Sequence, residues 1–178
     1  MNFPMKTNRI PMLLLLLSGL TASVFAQTNP PASPPPKPPS LPPESHQFDF
    51  WLGAWDVTTP DGKPAGTSLI QSIANGAGLL ENWEGAGGSP GKSLNTYNQA
   101  KKQWQQFWVG GGVLELAGGL VDGSMVLTGE HDAGGKHLIE KITWTPNPDG
   151  SVRQHWEQST DGGKTWTDAF DGLYRRRK

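Results

Sequence analysis

The chain has 178 residues, with eight Trp, 23 Gly, 16 Pro and no Cys, and a formal net charge of −1. Without Cys there is no thiolate chemistry, no disulfide and no Cys-based metal site. The near-neutral balance leaves no electrostatic footprint for a nucleic-acid surface.

In chain order, the first element reads as a signal peptide. Lys6 and Arg9 precede an apolar run at 12–17, continued by Gly19, Leu20 and Ala22. Val24 and Ala26 then stand at −3 and −1 of a cleavage point before Gln27. The run is shorter than the roughly 20 residues of a membrane span, and no Cys follows to carry a lipid. A retained anchor is the alternative. Residues 1–26 are thus expected to be removed, with the mature chain periplasmic or secreted. Losing Lys6 and Arg9 lowers the net charge by two, from −1 to −3.

Residues 27–45 open with "QTNPPASPPPKPPSLPP", a density of Pro that favours an extended, solvated tether. An SH3-type ligand is out of place outside the cytoplasm. The folded domain is read as 46–178, with its order ending near Arg176. The basic run Arg175 to Lys178 is expected to end as a solvated tail.

Turn signals divide this domain at short intervals: "PDGK" (60–63), "ANGAG" (74–78), "GAGGSPG" (85–91), "GGG" (110–112), "DG" (122–123), "DAGG" (132–135), "PNPDG" (146–150) and "DGG" (161–163). The segments between them are rich in Trp, Val, Ile, Leu and Thr, and many alternate. Leu138, Glu140, Ile142 and Trp144 share one parity. Val152, Gln154, Trp156 and Gln158 share another, opposite Arg153, His155 and Glu157. This period indicates antiparallel strands, about nine or ten of them. A long meander with short loops must close or split to hide its edges. The expected fold is an all-β, antiparallel up-and-down barrel, with a sandwich as alternative. Leu94, Tyr97, Lys101 and Trp104 also have helical spacing, but Asn95, Thr96 and Asn98 are poor helix formers. Strand–turn–strand is preferred there.

The Trp load asks for an explanation beyond core packing. Four segments pair an aromatic with a polar group on one face: Glu81 with Trp83, Asn95 with Tyr97, Gln106 between Trp104 and Trp108, and Trp156 between Gln154 and Gln158. Rings supply contact area and polar groups set orientation, as a ligand pocket requires. Half-exposed rings on the outer surface are the competing explanation, because parity does not say which face is inside. Glu81, Trp83, Asn95, Tyr97, Trp104, Gln106, Trp108, Gln154 and Trp156 are the candidate ligand-binding residues.

The opening "FDFWLGAWDV" (48–57) resembles a family of bacterial, often exported domains of unknown function that begin Phe-Asp-Phe-Trp-Leu-Gly-x-Trp. The similarity continues through "GGLVDGSMVLTGE" (118–130), "ITWTP" (142–146), "VRQHWEQSTDGGKTW" (152–166) and "FDGLYRR" (170–176). It implies a lipocalin-like, or calycin-like, barrel. Gly53-Ala54-Trp55 resembles the lipocalin Gly-x-Trp, which implies that Arg175 or Arg176 packs over Trp55 and closes one end. The resemblance implies a fold and no established activity, so ligand binding follows only by analogy. Distantly related small barrels bind haem through a His near the C-terminal end. His155 is the residue to consider, although its parity is opposite to Trp156.

Other motifs are weaker. "STDGGKTW" (159–166) resembles the Asp-box, a structural hairpin of sialidase propellers. Its single copy predicts a stabilised turn built by Ser159, Asp161, Gly163 and Trp166, and no sialidase. The four His show no metal-ligand spacing, and Glu130-His131-Asp132 reads as a surface triplet at a hairpin tip. Glu81 and Glu157 form an acid–base pair only if both face the pocket, which parity opposes. "AGGSPGKS" (86–93) fits both a relaxed P-loop and a G-x-S-x-G elbow. The elbow needs a backbone N–H where Pro90 stands, and the P-loop needs a following helix. The stretch is expected to be a rim loop.

The function expected from these residues is non-catalytic binding of a small amphipathic or aromatic molecule. The alternatives are an enzyme, a hydrolase or isomerase, at the barrel mouth, and a structural or protein-interaction module. Neither cofactor nor metal is called for, and the oligomeric state is open.

Overall fold

The computed structural model describes residues 40–178. The expected signal peptide and most of the Pro-rich tether lie outside the described residues. Ten strands follow one another: β1 (Gly53–Thr58), β2 (Pro64–Ile73), β3 (Gly78–Gly85), β4 (Pro90–Asn98), β5 (Gln103–Val109), β6 (Val113–Val121), β7 (Ser124–Ala133), β8 (Lys136–Pro146), β9 (Val152–Ser159) and β10 (Thr167–Arg176). Each pairs antiparallel with its chain neighbours, and β10 pairs with β1, so the sheet is a closed up-and-down barrel. Closure removes every sheet edge. Among the described residues, no helix is long and apolar enough to cross a membrane.

The turns follow from local chemistry. Asp122 (φ 48°) and Gly123 (φ 82°) form the two-residue link between β6 and β7. Positive φ at both positions is the type I′ geometry, whose twist matches that of the flanking strands. The segment with ambiguous period resolves into β4, a four-residue turn and β5. In that turn Lys102 takes φ 51°, and Asn98 Oδ1 accepts from the Lys101 backbone N–H at 3.1 Å.

Alternation along the strands sets the interior. In β8, Glu140, Ile142 and Trp144 are buried, and in β5, Trp104 and Gln106 are buried. Eight strands leave a lumen that side chains just fill. Ten leave more room, and the two halves of this barrel use it differently.

One end is packed solid. Two 3₁₀ turns, Pro43–His46 and Asp49–Trp51, carry the chain beneath the barrel before β1. The first of them straddles the boundary read at residue 46, and Ser45 within it is buried. Phe48 and Trp51 stack at 5.0 Å, and Phe48 meets Trp104 and Trp144 edge-on at 5.6 and 5.2 Å. Each such ring contributes roughly 2–3 kcal/mol by leaving water. This aromatic plug stands in for disulfides in a chain without Cys. Trp51, Trp104 and Trp144 keep indole N–H groups with no partner among the described residues, which offsets part of that gain.

Arg176 closes the same end. Its guanidinium carbon lies 4.5 Å from the Trp55 ring centroid, and its Nη1 donates to Leu52 O at 2.9 Å. Arg175 sits opposite Asp56 in the β1–β10 register, on the outer face. A Cβ on Gly53 would stand 2.5 Å from Arg176 Nη1, at φ 133°. Glycine there lets the arginine reach over the ring. The basic run is not free immediately after β10. Arg177 donates from its backbone to Ala54 O and from its side chain to Asp56.

Candidate functional site

The other half of the barrel encloses a cavity of about 100 Å³. Its walls carry the rings of Trp83, Trp108, Trp156 and Phe170, with Tyr174 as the ring shared with the plug. Leu114 and Ile142 add aliphatic surface, and Glu81, Gln106 and Gln154 are its polar groups. Trp83 meets Phe170 edge-on at 5.9 Å. Trp108 is fixed by missing side chains: a Cβ on Gly91 or Gly110 would lie 2.1 or 2.6 Å from its ring. A recess of about 220 Å³ adjoins the cavity. The two share Trp108, Leu114 and Trp156, and the recess opens beside Gly110, Gly111 and Gly112 in the β5–β6 loop.

A buried hydrogen-bonded belt runs across β2 to β5. Gln106 Nε2 donates to Asn95 Oδ1 at 2.8 Å, and Asn95 Nδ2 donates to Ser93 Oγ at 2.9 Å. Ser93 Oγ donates to Glu81 Oε2 at 2.9 Å, and Ser68 Oγ donates to Glu81 Oε1 at 3.0 Å. Every donor in this belt leads toward the Glu81 carboxylate, and aligned bonds of this kind strengthen one another. Glu81 is nevertheless buried, and among the described residues no cation bonds it. Desolvation pushes its pKa up to about 7 from an ordinary 4.5, against the smaller lowering effect of the two hydroxyls. Tyr174 donates its hydroxyl to Gln154 Oε1, and burial, reinforced by the nearby Glu81 charge, holds its pKa well above the usual 10.

A second buried carboxylate stands at the recess. Glu140 accepts from Trp156 Nε1 at 2.5 Å and from Gln158 Nε2 at 3.0 Å, and His131 Nε2 lies 3.7 Å away. Glu140 is 1% exposed. Two N–H donors bond it, as two hydroxyls bond Glu81, and His131 stands beyond hydrogen-bond distance as its nearby basic group.

Six of the nine candidate ligand-binding residues line the cavity: Glu81, Trp83, Gln106, Trp108, Gln154 and Trp156. Asn95 is one bond removed, behind Gln106. Tyr97 and Trp104 do not reach the cavity. They pack against each other at 6.2 Å, and Trp104 belongs to the plug. Parity assigned their face correctly but carries no information about height along the barrel axis.

Other residues were missed. Ser93 belongs to β4, not to a rim loop; only 86–89 are loop, and Pro90 starts the strand. The shared parity of Ser93, Asn95 and Tyr97 was the available signal. Glu140 showed itself as the one acid among Leu138, Ile142 and Trp144. His131 turns inward, while its neighbours Glu130 and Asp132 lie outside beside His137. Strand alternation thus splits the triplet read as a surface cluster. Phe170 and Leu114 carried no distinguishing mark.

His155 and Glu157 are outside the lumen. His155 Nε2 lies 2.7 Å from Asp168, and Glu157 pairs with Lys141 at 2.8 Å. Neither lines the cavity. The β9–β10 loop is held by its own polar groups. Asp161 Oδ1 accepts from Ser159 Oγ and from the backbone N–H groups of Lys164 and Thr165, at 2.8 to 3.0 Å. Ser159 Oγ accepts from the Gly163 N–H, and Trp166 Nε1 donates to Gly163 O at 3.1 Å. The Thr165 hydroxyl, which donates to Asp161 Oδ2 at 2.7 Å, does most to hold the Asp161 pKa down at about 2, followed by the Thr165 backbone N–H and the Ser159 hydroxyl. Lys141 Nζ lies 4.1 Å from the Trp166 ring centroid. None of these loop residues lines the cavity.

No protein-family model matches the chain, and no curated protein matches it.

Proposed function

We propose that the chain is an exported, lipocalin-like binding protein that holds a small amphipathic or aromatic molecule without transforming it. One observation carries this reading: a cavity walled by aromatic rings has three polar side chains and shares Trp108, Leu114 and Trp156 with a larger recess. The plug matters equally, because it lets the open half stay unfilled at no risk to the fold. An engineered apolar cavity of about 150 Å³ admits benzene. The deep cavity, at about 100 Å³, therefore takes only a compact group, and the rest of the ligand occupies the recess. The signal-like N-terminus and the resemblance of the FDFWLGAW opening to exported barrel domains support the placement outside the cytoplasm.

Native mass spectrometry of protein purified from its own host tests this. The expected result is a mass above that of the mature polypeptide, lost in a Leu114→Trp variant that fills the cavity. The bare polypeptide mass alone contradicts it.

A second reading has its own observation. Glu81 lines the cavity with a pKa near 7, as a general acid or base requires. Ser68 and Ser93 touch it but are buried behind it, so neither serves as a nucleophile. Turnover of any ligand found, lost in Glu81→Gln with a bell-shaped pH profile in the parent, would favour this enzyme.

A further inference from the structure

The lining of the site is unbalanced in charge. Glu81 lines the cavity and Glu140 its recess, and among the described residues no Lys or Arg lines either. His131 is the one basic group, and it stands beside Glu140. Burying a carboxylate is costly unless a positive partner compensates it. Glu140 has two N–H donors and a histidine 3.7 Å away. Glu81 has two hydroxyls, and no cation among the described residues bonds it. Of the two amides lining the cavity, Gln154 accepts from the Tyr174 hydroxyl and presents its NH2 group, and Gln106 is committed the other way round. Gln106 uses its N–H on Asn95, so its carbonyl oxygen is left for a ligand. Around these acceptors stand Trp83, Trp108, Trp156, Phe170 and Tyr174. Aromatic rings attract organic cations, most strongly where water is excluded.

We infer that the ligand of this cavity is a small organic cation, an alkylated or quaternary ammonium group, seated among the Trp rings with Glu81 as its counter-ion. This deepens the binding reading and rests on it. The cationic head enters the deep cavity, and a polar remainder lies in the recess beside the Gly110–Gly112 loop. A fatty acid or other anionic ligand is disfavoured by the same balance of charge. Glu81→Gln should keep the shape of the cavity and remove the counter-ion.

The test uses three probes of one shape and different charge: tetramethylammonium, tert-butanol and pivalate. Indole N–H resonances of ¹⁵N-Trp-labelled protein at pH 8 report binding, separately at each ring. Tetramethylammonium should shift Trp83, Trp108 and Trp156 and bind about tenfold tighter than tert-butanol, with pivalate weakest. In Glu81→Gln that preference should vanish. Equal or tighter binding of tert-butanol or pivalate overturns the cation proposal and leaves the binding cavity standing. A preference retained in Glu81→Gln also overturns it. No shift at these three indoles with any probe overturns the proposal and the cavity reading together.

Discussion

Replacing Glu81 by Gln should make the protein more stable at pH 8 and nearly unchanged at pH 5. The folded barrel keeps Glu81 protonated up to about pH 7, whereas the group ordinarily ionises at 4.5. Between these values the folded state binds more protons than the unfolded chain. Stability from this group is therefore complete below pH 4.5 and is lost as pH rises through 7. Each tenfold change in the ionisation constant is worth about 1.4 kcal/mol, so the titration removes about 2.5 kcal/mol between pH 5 and pH 8. Gln occupies the same volume and never ionises. With a urea slope of about 2 kcal/mol/M, the midpoint of Glu81→Gln should gain roughly 1 M on the parent at pH 8. The carboxylates with lowered pKa, Asp149, Asp161 and Asp171, lose their contributions only as pH falls below their ordinary range. His137, whose pKa is raised by Asp132 and Glu130, titrates in both proteins and cancels. A midpoint difference that is the same at pH 5 and pH 8 would refute this reasoning, because it would mean that Glu81 ionises no differently in the barrel.

Ser93→Ala removes a donor to Glu81 and the acceptor of Asn95, and should cost about 1–3 kcal/mol in chemical denaturation; Ser89→Ala, in the rim loop, should leave the midpoint unchanged. Arg176→Ala strips the Trp55 ring and the Leu52 carbonyl of their partner, with an expected loss of about 1–2 kcal/mol and no effect on ligand affinity. Asp161→Asn should lower the melting temperature at neutral pH. The difference from the parent should close as pH falls toward 2, where Asp161 itself becomes protonated. Leu114→Trp should fold and show no ligand-dependent change in Trp fluorescence.

The barrel was legible because two signals agreed over the whole domain. Turn residues recur at strand spacing, and alternation puts Trp, Leu and Ile on one parity of each segment. The plug was half legible. FDFWLGAW resembles a barrel opening and pointed to an arginine over Trp55, but nothing local chose Arg176 over Arg175. The register opposite Asp56 makes that choice. The site was legible by face and not by height. Trp104 and Trp108 are four residues apart on one strand face, yet one belongs to the plug and the other to the cavity. Their separation depends on where the 40–52 segment inserts, which is a tertiary fact. Glu140 and Ser93 escaped for a different reason: each sat inside a pattern read for another purpose, an apolar stripe and a phosphate-loop motif.

Whether the open half of the barrel holds a molecule decides the functional reading. A crystal structure of the protein purified from its own host tests this most directly. The expected result is non-protein density among Trp83, Trp108 and Trp156, larger than a water, with the Glu81 carboxylate facing it. Rings of these residues collapsed onto one another, with no space between them, would contradict it.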